Sequence, residues 1–209
     1  IPRSDHTASM CIAGIVANHT DTIYVLTGDG NARADNTGEA IGVGILKTVD
    51  GGFNWDTTAL TWGRDDVEAG FKLVQVPGRP KIMFAAATDG LYRTSDAWAT
   101  DTRLIAGEFH DIEIKPGSLD TIYATAENGI LYRSTNGGDT FVDISSHLEV
   151  TLQRDRMAIA VSADDPDRLY LSAERAMDGG LVTFQVSYDG GDSFTLMQDQ
   201  TFNIFSPNA

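Results

Sequence analysis

The octapeptide Ser187-Tyr188-Asp189-Gly190-Gly191-Asp192-Ser193-Phe194 follows Leu181, Val182, Phe184 and Val186, and it reads as a β-hairpin turn closing a strand. Two further copies are plain: Thr48-Val49-Asp50-Gly51-Gly52-Phe53-Asn54-Trp55 and Ser134-Thr135-Asn136-Gly137-Gly138-Asp139-Thr140-Phe141. A fourth, Thr94-Ser95-Asp96-Ala97-Trp98-Ala99-Thr100, lacks the glycine pair and reads as a degraded copy with an irregular turn. We call this pattern the box. In each box the Asp or Asn side chain accepts hydrogen bonds from the backbone N–H groups of its own turn. Glycine supplies the positive φ that such a turn needs. The closing aromatic packs the hairpin onto its sheet. Asp50, Asp96, Asn136 and Asp189, with Trp55, Phe141 and Phe194, are therefore structural residues on this reading.

The segments before the boxes repeat as well. Phe109 to Ile114 alternates as a strand does, Lys115 to Asp120 turns, Thr121 to Ala126 is a second strand, and Ile130 to Ser134 a third that runs into its box. The same order recurs in units spanning about residues 10–56, 71–100, 109–144 and 157–197. Tyr24, Phe84, Tyr123 and Tyr170 hold one position on the second strand, and the box acids recur at intervals of 46, 40 and 53 residues. Four short strands in roughly 40–50 residues is the period of a propeller blade. The expected fold is all-β: about four blades of four antiparallel strands in one segment, residues 1–209. No stretch has helical periodicity beyond one short turn near Ser145. Insertions fall between the second and third strands, at Gly28 to Gly42 and at Glu174 to Gly180. Extra length there points to a functional rim, because loops on a rigid scaffold carry function.

Composition bounds the partners. Fifteen basic and thirty acidic residues leave a formal charge of −15. Nucleic acid and anionic membranes call for basic patches, so neither is expected. No apolar run approaches the roughly 20 residues of a membrane-spanning helix. The one cysteine, Cys11, lies in an apolar run, reads as buried filler and makes no internal disulfide. Ile1 is no initiator methionine, so a processed or truncated start is expected.

The repeats resemble the Asp-box (BNR) propellers, a group that includes sortilin-type Vps10 domains, xyloglucanase-like glycoside hydrolases and sialidases. The matching residues are Ile23 to Asp29, Ile41 to Thr48 and Phe109 through Phe141, and the likeness runs from about Met10 to Phe194. It is nearest to large secreted bacterial propeller proteins, which implies a secreted or cell-surface location. The resemblance also implies that the boxes lie on the rim opposite a substrate face. Four units are fewer than such propellers carry, and Asn203 to Ala209 resembles a linker into another blade. The expectation is part of a larger propeller of six to eight blades or more, with further blades in the same polypeptide.

Chemistry is less legible. Glycoside hydrolysis takes two carboxylates about 5–10 Å apart. Asp29, Asp35, Glu39, Asp89, Glu127 and Glu174 lie in loops away from the boxes, and no motif singles out a pair. Ile1-Pro2-Arg3 is the wrong order for a sialidase signature. Asp29, Asn31 and Asp35 alternate oxygen donors as a calcium loop does, but Arg33 interrupts them and no glutamate stands at the twelfth position. No cofactor is expected, and calcium is the one candidate ion. The four histidines share no ligand spacing. Asn18-His19-Thr20 is a formal glycosylation sequon, read as chance. The function expected is a non-catalytic binding or scaffold module that presents loops to a glycan or protein partner. The alternative is a glycoside hydrolase whose remaining blades lie outside this chain.

Overall fold

The computed structural model describes residues 11–31, 41–63, 65–149, 154–175 and 181–199. They form four antiparallel four-stranded sheets, each with its strands in chain order. The chain divides into two compact units, Ile1–Phe109 and His110–Ala209.

The first unit holds two sheets. One comprises β1 (Ile12–Ala17), β2 (Ile23–Thr27), β3 (Gly44–Thr48) and β4 (Asp56–Thr61). The other comprises β5 (Gly70–Gln75), β6 (Met83–Ala87), β7 (Gly90–Thr94) and β8 (Thr102–Ala106). Between them lies a core of Val16, Tyr24, Leu26, Ile45, Leu60 and Trp62 from the first sheet, met by Leu73, Met83, Ala85, Ala87, Tyr92 and Trp98 from the second. Every residue of β6 is buried. A strand covered on both faces reads as a continuous apolar run, which is how Met83 to Ala87 reads. The inner strands approach closely: a Cβ on Gly14 of β1 would stand 2.8 Å from Leu73 of β5.

The second unit has the same plan, its first strand starting one residue before the division. β9 (Phe109–Ile114), β10 (Ile122–Ala126), β11 (Ile130–Ser134) and β12 (Val142–Asp143) form one sheet. β13 (Arg154–Val161), β14 (Leu169–Arg175), β15 (Leu181–Ser187) and β16 (Thr195–Asp199) form the next. Tyr123, Leu131, Ile144 and Leu148 of the former pack against Met157, Ile159, Leu169, Leu171, Ala173 and Phe194 of the latter. The only helical pieces among the described residues are two three-residue 3-10 turns, Glu127–Gly129 and Ser145–His147. Cys11 is half-exposed rather than buried, and its carbonyl accepts the Gly28 N–H at 2.8 Å.

Antiparallel order fixes the two ends of each sheet. The first–second and third–fourth connections share one end, and the second–third connection lies at the other. In all four sheets the box turn is tied to the first–second turn beside it. Gly51, Ala97, Gly137 and Gly190 donate their N–H to the carbonyls of Asp21, Lys81, Asp120 and Asp167 at 2.8–3.0 Å.

Candidate functional site

The four boxes are built alike. Asp50 Oδ1 accepts the Phe53 and Asn54 N–H groups, each at 2.9 Å, and Asp189 Oδ1 accepts that of Ser193 at 2.9 Å. The opening hydroxyl, whose role the sequence reading missed, does a second job. Thr48, Thr94, Ser134 and Ser187 each donate to the box Asp or Asn and accept the N–H four residues on, at 2.7–3.0 Å. The side chains of Asn54, Thr100 and Ser193 donate to Oδ2 of their box Asp at 2.6–2.8 Å, and in the third box that bond is reversed: Asn136 Nδ2 donates to Thr140 Oγ1 at 2.8 Å. Hydrogen bonds hold the carboxyl pKa values down. Asp50 falls to about 2, chiefly through the Asn54 N–H, and Asp189 to about 2, chiefly through the Ser193 hydroxyl. Asp96 is lowered too, chiefly by the Thr100 N–H.

The second box is not irregular. Thr94, Asp96 and Thr100 make the same bonds, with Ala97 at φ 64° and Trp98 at φ 63° where the other boxes have glycine. Trp98 stands at the position of Gly52, and Asp101 stands where Trp55 closes the first box. A Cβ on Gly52 would lie 3.6 Å from the Trp55 ring, so both positions aim at one volume. The box aromatic has moved three residues upstream, and Trp98, at 1% exposure, is fully buried in the core of the first unit. Among the closing aromatics Phe194 is buried, while Trp55 and Phe141 are half-buried.

The other end of the sheets carries the insertions. In the first unit both roots of the longer one are fixed: Gly30 N–H donates to Gly70 O at 2.9 Å, and Gly42 N–H to Glu68 O at 2.7 Å. Thr27 Oγ1 clamps the return, donating to Gly44 O at 2.8 Å and accepting the Val43 N–H at 2.7 Å. Close approach demands glycine here, since a Cβ on Gly30 would meet the Phe71 ring at 2.4 Å. Glu68 accepts the Thr88 hydroxyl, and Val67 before it holds φ 58°, a strained value for a β-branched residue.

Of the six sequence-derived carboxylates, Asp29, Asp89, Glu127 and Glu174 lie among the described residues. Asp29 Oδ1 accepts the Asn31 N–H at 3.0 Å, closing a local turn. Asp35 and Glu39 lie outside the described residues. Asp89 Oδ2 accepts the Tyr92 hydroxyl, with Arg103 Nη1 3.9 Å away, and burial pushes the Tyr92 phenol pKa up. In the second unit Glu127 opens a 3-10 turn in which Asn128 has φ 60°, Gly129 of that turn lies against Arg154, and Glu174 lies within β14. Among the described residues no three His, Cys, Asp or Glu side chains group as a metal site would require. Asn18 of the sequon donates its amide to Pro80 O at 3.0 Å, joining the two sheets of its unit.

Each of the four sheets is a propeller blade, and the fold is that of a β-propeller segment. The solved structures it resembles are propeller chains. An ancestral GH74 enzyme aligns over 89% of this chain with TM-score 0.66 and 16% identity, and the GH74 enzyme of Niastella koreensis over 86% with TM-score 0.62 and 15% identity. This chain spans 24% and 28% of their lengths. The extracellular domain of a putative hybrid two-component system from B. thetaiotaomicron aligns over 91% of this chain and 25% of its own, with TM-score 0.58 and 11% identity. No family model matches the sequence, and no curated protein matches it.

Proposed function

We propose that this chain is a non-catalytic binding module, belonging to the Asp-box propellers and to an exported or cell-surface bacterial protein. Its ligand-facing rim is the one opposite the boxes, and its partner is a glycan or a protein. The observation that carries this reading is the anchoring of the long insertion. Gly30 is bonded to Gly70, the first residue of β5, and Gly42 to Glu68 just before that strand, so the long insertion is rooted at both ends on a rigid sheet. The extracellular domain of a putative hybrid two-component system among the structural neighbours supports this location.

The second reading is a glycoside hydrolase completed by blades outside this chain, which the GH74 neighbours favour. Against it, Asp89 is engaged by Tyr92, and Asp29 by its own turn. A glycan-array screen run beside hydrolysis assays on plant and host polysaccharides separates the two. Binding without turnover is the expected result, and turnover lost on removal of a rim carboxylate sinks the reading. Calcium titration in the same preparations tests the Asp29–Asn31–Asp35 loop.

A further inference from the structure

Two of the eight asparagines, Asn128 and Asn136, stand directly before a glycine. The pair has a chemistry of its own. With no side chain on the glycine, its backbone nitrogen meets no steric barrier as it closes on the asparagine carboxamide. The structure treats the two pairs differently. Asn136 belongs to the third box. Its Oδ1 accepts the Ser134 hydroxyl at 2.9 Å and the Thr140 N–H at 3.0 Å, and its Nδ2 donates to Thr140 Oγ1 at 2.8 Å. Gly137 is buried, and its N–H donates to Asp120 O at 2.9 Å. Electrophile and nucleophile are both held.

Asn128 is the opposite case. It is exposed in the three-residue connection between β10 and β11, whose flanks Ala126 and Ile130 pair in register. Its carboxamide has no hydrogen-bond partner among the described residues. Its backbone holds φ 60° and ψ 21°, a left-handed conformation that asparagine tolerates better than most residues. At that ψ the Gly129 nitrogen lies on the far side of the peptide from Cβ, so the turn must rotate about Asn128 before nitrogen and Cγ meet. A short exposed turn opens at small cost, whereas freeing Asn136 and Gly137 breaks the four bonds of a box.

We propose that Asn128 is a self-modification site, at which the chain converts its own asparagine to aspartate and isoaspartate. Base takes the Gly129 amide proton. The nitrogen attacks Asn128 Cγ, and the side-chain nitrogen leaves as ammonia, giving a cyclic succinimide. Water then opens the ring. Breaking the bond from nitrogen to Cγ leaves aspartate. Breaking the bond from nitrogen to the backbone carbonyl carbon leaves isoaspartate, with the main chain routed through Cγ. The net exchange is one water taken up for one ammonia released, with no change of oxidation state. Either product sets a new carboxylate beside Arg154, whose Cβ is 2.4 Å from where a Cβ on Gly129 would stand. Isoaspartate also adds a main-chain atom between Ala126 and Ile130 and so disturbs their register. This connection lies at the end of its sheet opposite the box, on the rim proposed to face a ligand, but the conversion itself does not depend on that reading.

Peptide mapping by mass spectrometry tests it on the full chain aged in warm, mildly alkaline buffer. The Asn128 peptide should gain the mass of the acid and contain isoaspartate, faster as the pH rises. The Asn136 peptide should convert at least about tenfold more slowly. In urea the two should convert at similar rates, because the dipeptide is the same. Thr140→Ala removes one hold on Asn136 and should speed its conversion severalfold in the folded chain. Asn128→Gln, one methylene longer, should lose the signal at that position. Circular dichroism confirms that the aged protein and both variants are folded. A folded wild type in which Asn128 stays intact while its urea control converts overturns the proposal, as does an Asn136 that converts as fast as Asn128.

Discussion

Tyr123 donates its phenol hydrogen to the carbonyl of Gly190, 2.9 Å away, and so locks one sheet of the second unit to the box of the next. Burial pushes the phenol pKa up to about 12, which keeps it a donor across the whole useful pH range. Arg133 Nη1 reaches the same carbonyl at 2.8 Å and Asp192 at 2.7 Å, while His147 Nδ1 donates to Gly191 O at 2.8 Å. Tyr123→Phe should therefore cost about 0.5–1.5 kcal/mol, because Gly190 O keeps its second donor. Removing Tyr123 and Arg133 together should cost more than the sum, since the buried carbonyl is then unmet. Urea unfolding of the two single variants and the double variant measures this, and strict additivity would count against a shared acceptor.

The displaced aromatic of the second box yields a sharper test. Left-handed backbone costs a non-glycine residue about 1–2 kcal/mol, while emptying a buried tryptophan site costs roughly 3–5 kcal/mol. Burial wins, so Trp98→Gly should destabilise by about 1–4 kcal/mol, the difference of those ranges. Adding Asp101→Trp restores the arrangement of the first box, where Gly52 faces Trp55. The double variant should regain more than half of the loss. If Asp101→Trp alone were tolerated equally well and gave no rescue, the two positions would not share one volume.

The glycine pairs and alternating strands gave away the blade repeat because each obeys a local rule: positive φ in the turn, period two in the strand. Trp98 escaped that logic. Its identity violates the local rule, and only the core it fills explains it. Lys115, Arg133 and His147 escaped too, because their partners lie 44 to 59 residues away, on a different sheet. The rim acids looked alike in sequence. Their difference, with Asp89 held by Tyr92 and Asp29 by its own turn, depends on backbone positions that composition does not encode.

Acid should weaken the boxes in a defined window. Asp50 and Asp189 drop from 3.8 to about 2 on folding, and Asp96 shifts the same way. A depressed carboxylate adds stability above its unfolded pKa near 4, and that stability is lost as pH falls through the folded value. The loss therefore lies between about pH 4 and pH 2, and solvent screening keeps each contribution small. Asp101, raised by burial, works in the opposite sense. Asn136 shows that an amide fits this turn without titrating. The triple variant Asp50→Asn, Asp96→Asn, Asp189→Asn should thus show a flatter fall of the urea midpoint across that window. An unchanged slope would move the acid sensitivity elsewhere.

Glycine 30 carries the last expectation, because it couples the fold to the proposed binding loop. A methyl group at this position starts 2.4 Å from the Phe71 ring, inside any permitted contact. Phe71 sits on β5, and the Gly30 N–H is bonded to Gly70 O on the same strand. Gly30→Ala must therefore push the ring aside or lift the root of the insertion off β5. Overpacking of this kind costs about 1–3 kcal/mol. The box rim lies at the other end of the sheet and should be untouched, so the fold survives while the loop loses its seat. On the glycan or protein found in the binding screen, affinity should fall about tenfold or more, as expected when a preorganised loop must be reordered on binding. Phe71→Leu removes the obstructing ring edge, and the pair Gly30→Ala, Phe71→Leu should recover both stability and most of the binding. Recovery of stability without recovery of binding would separate the insertion from the ligand and move the site off this rim.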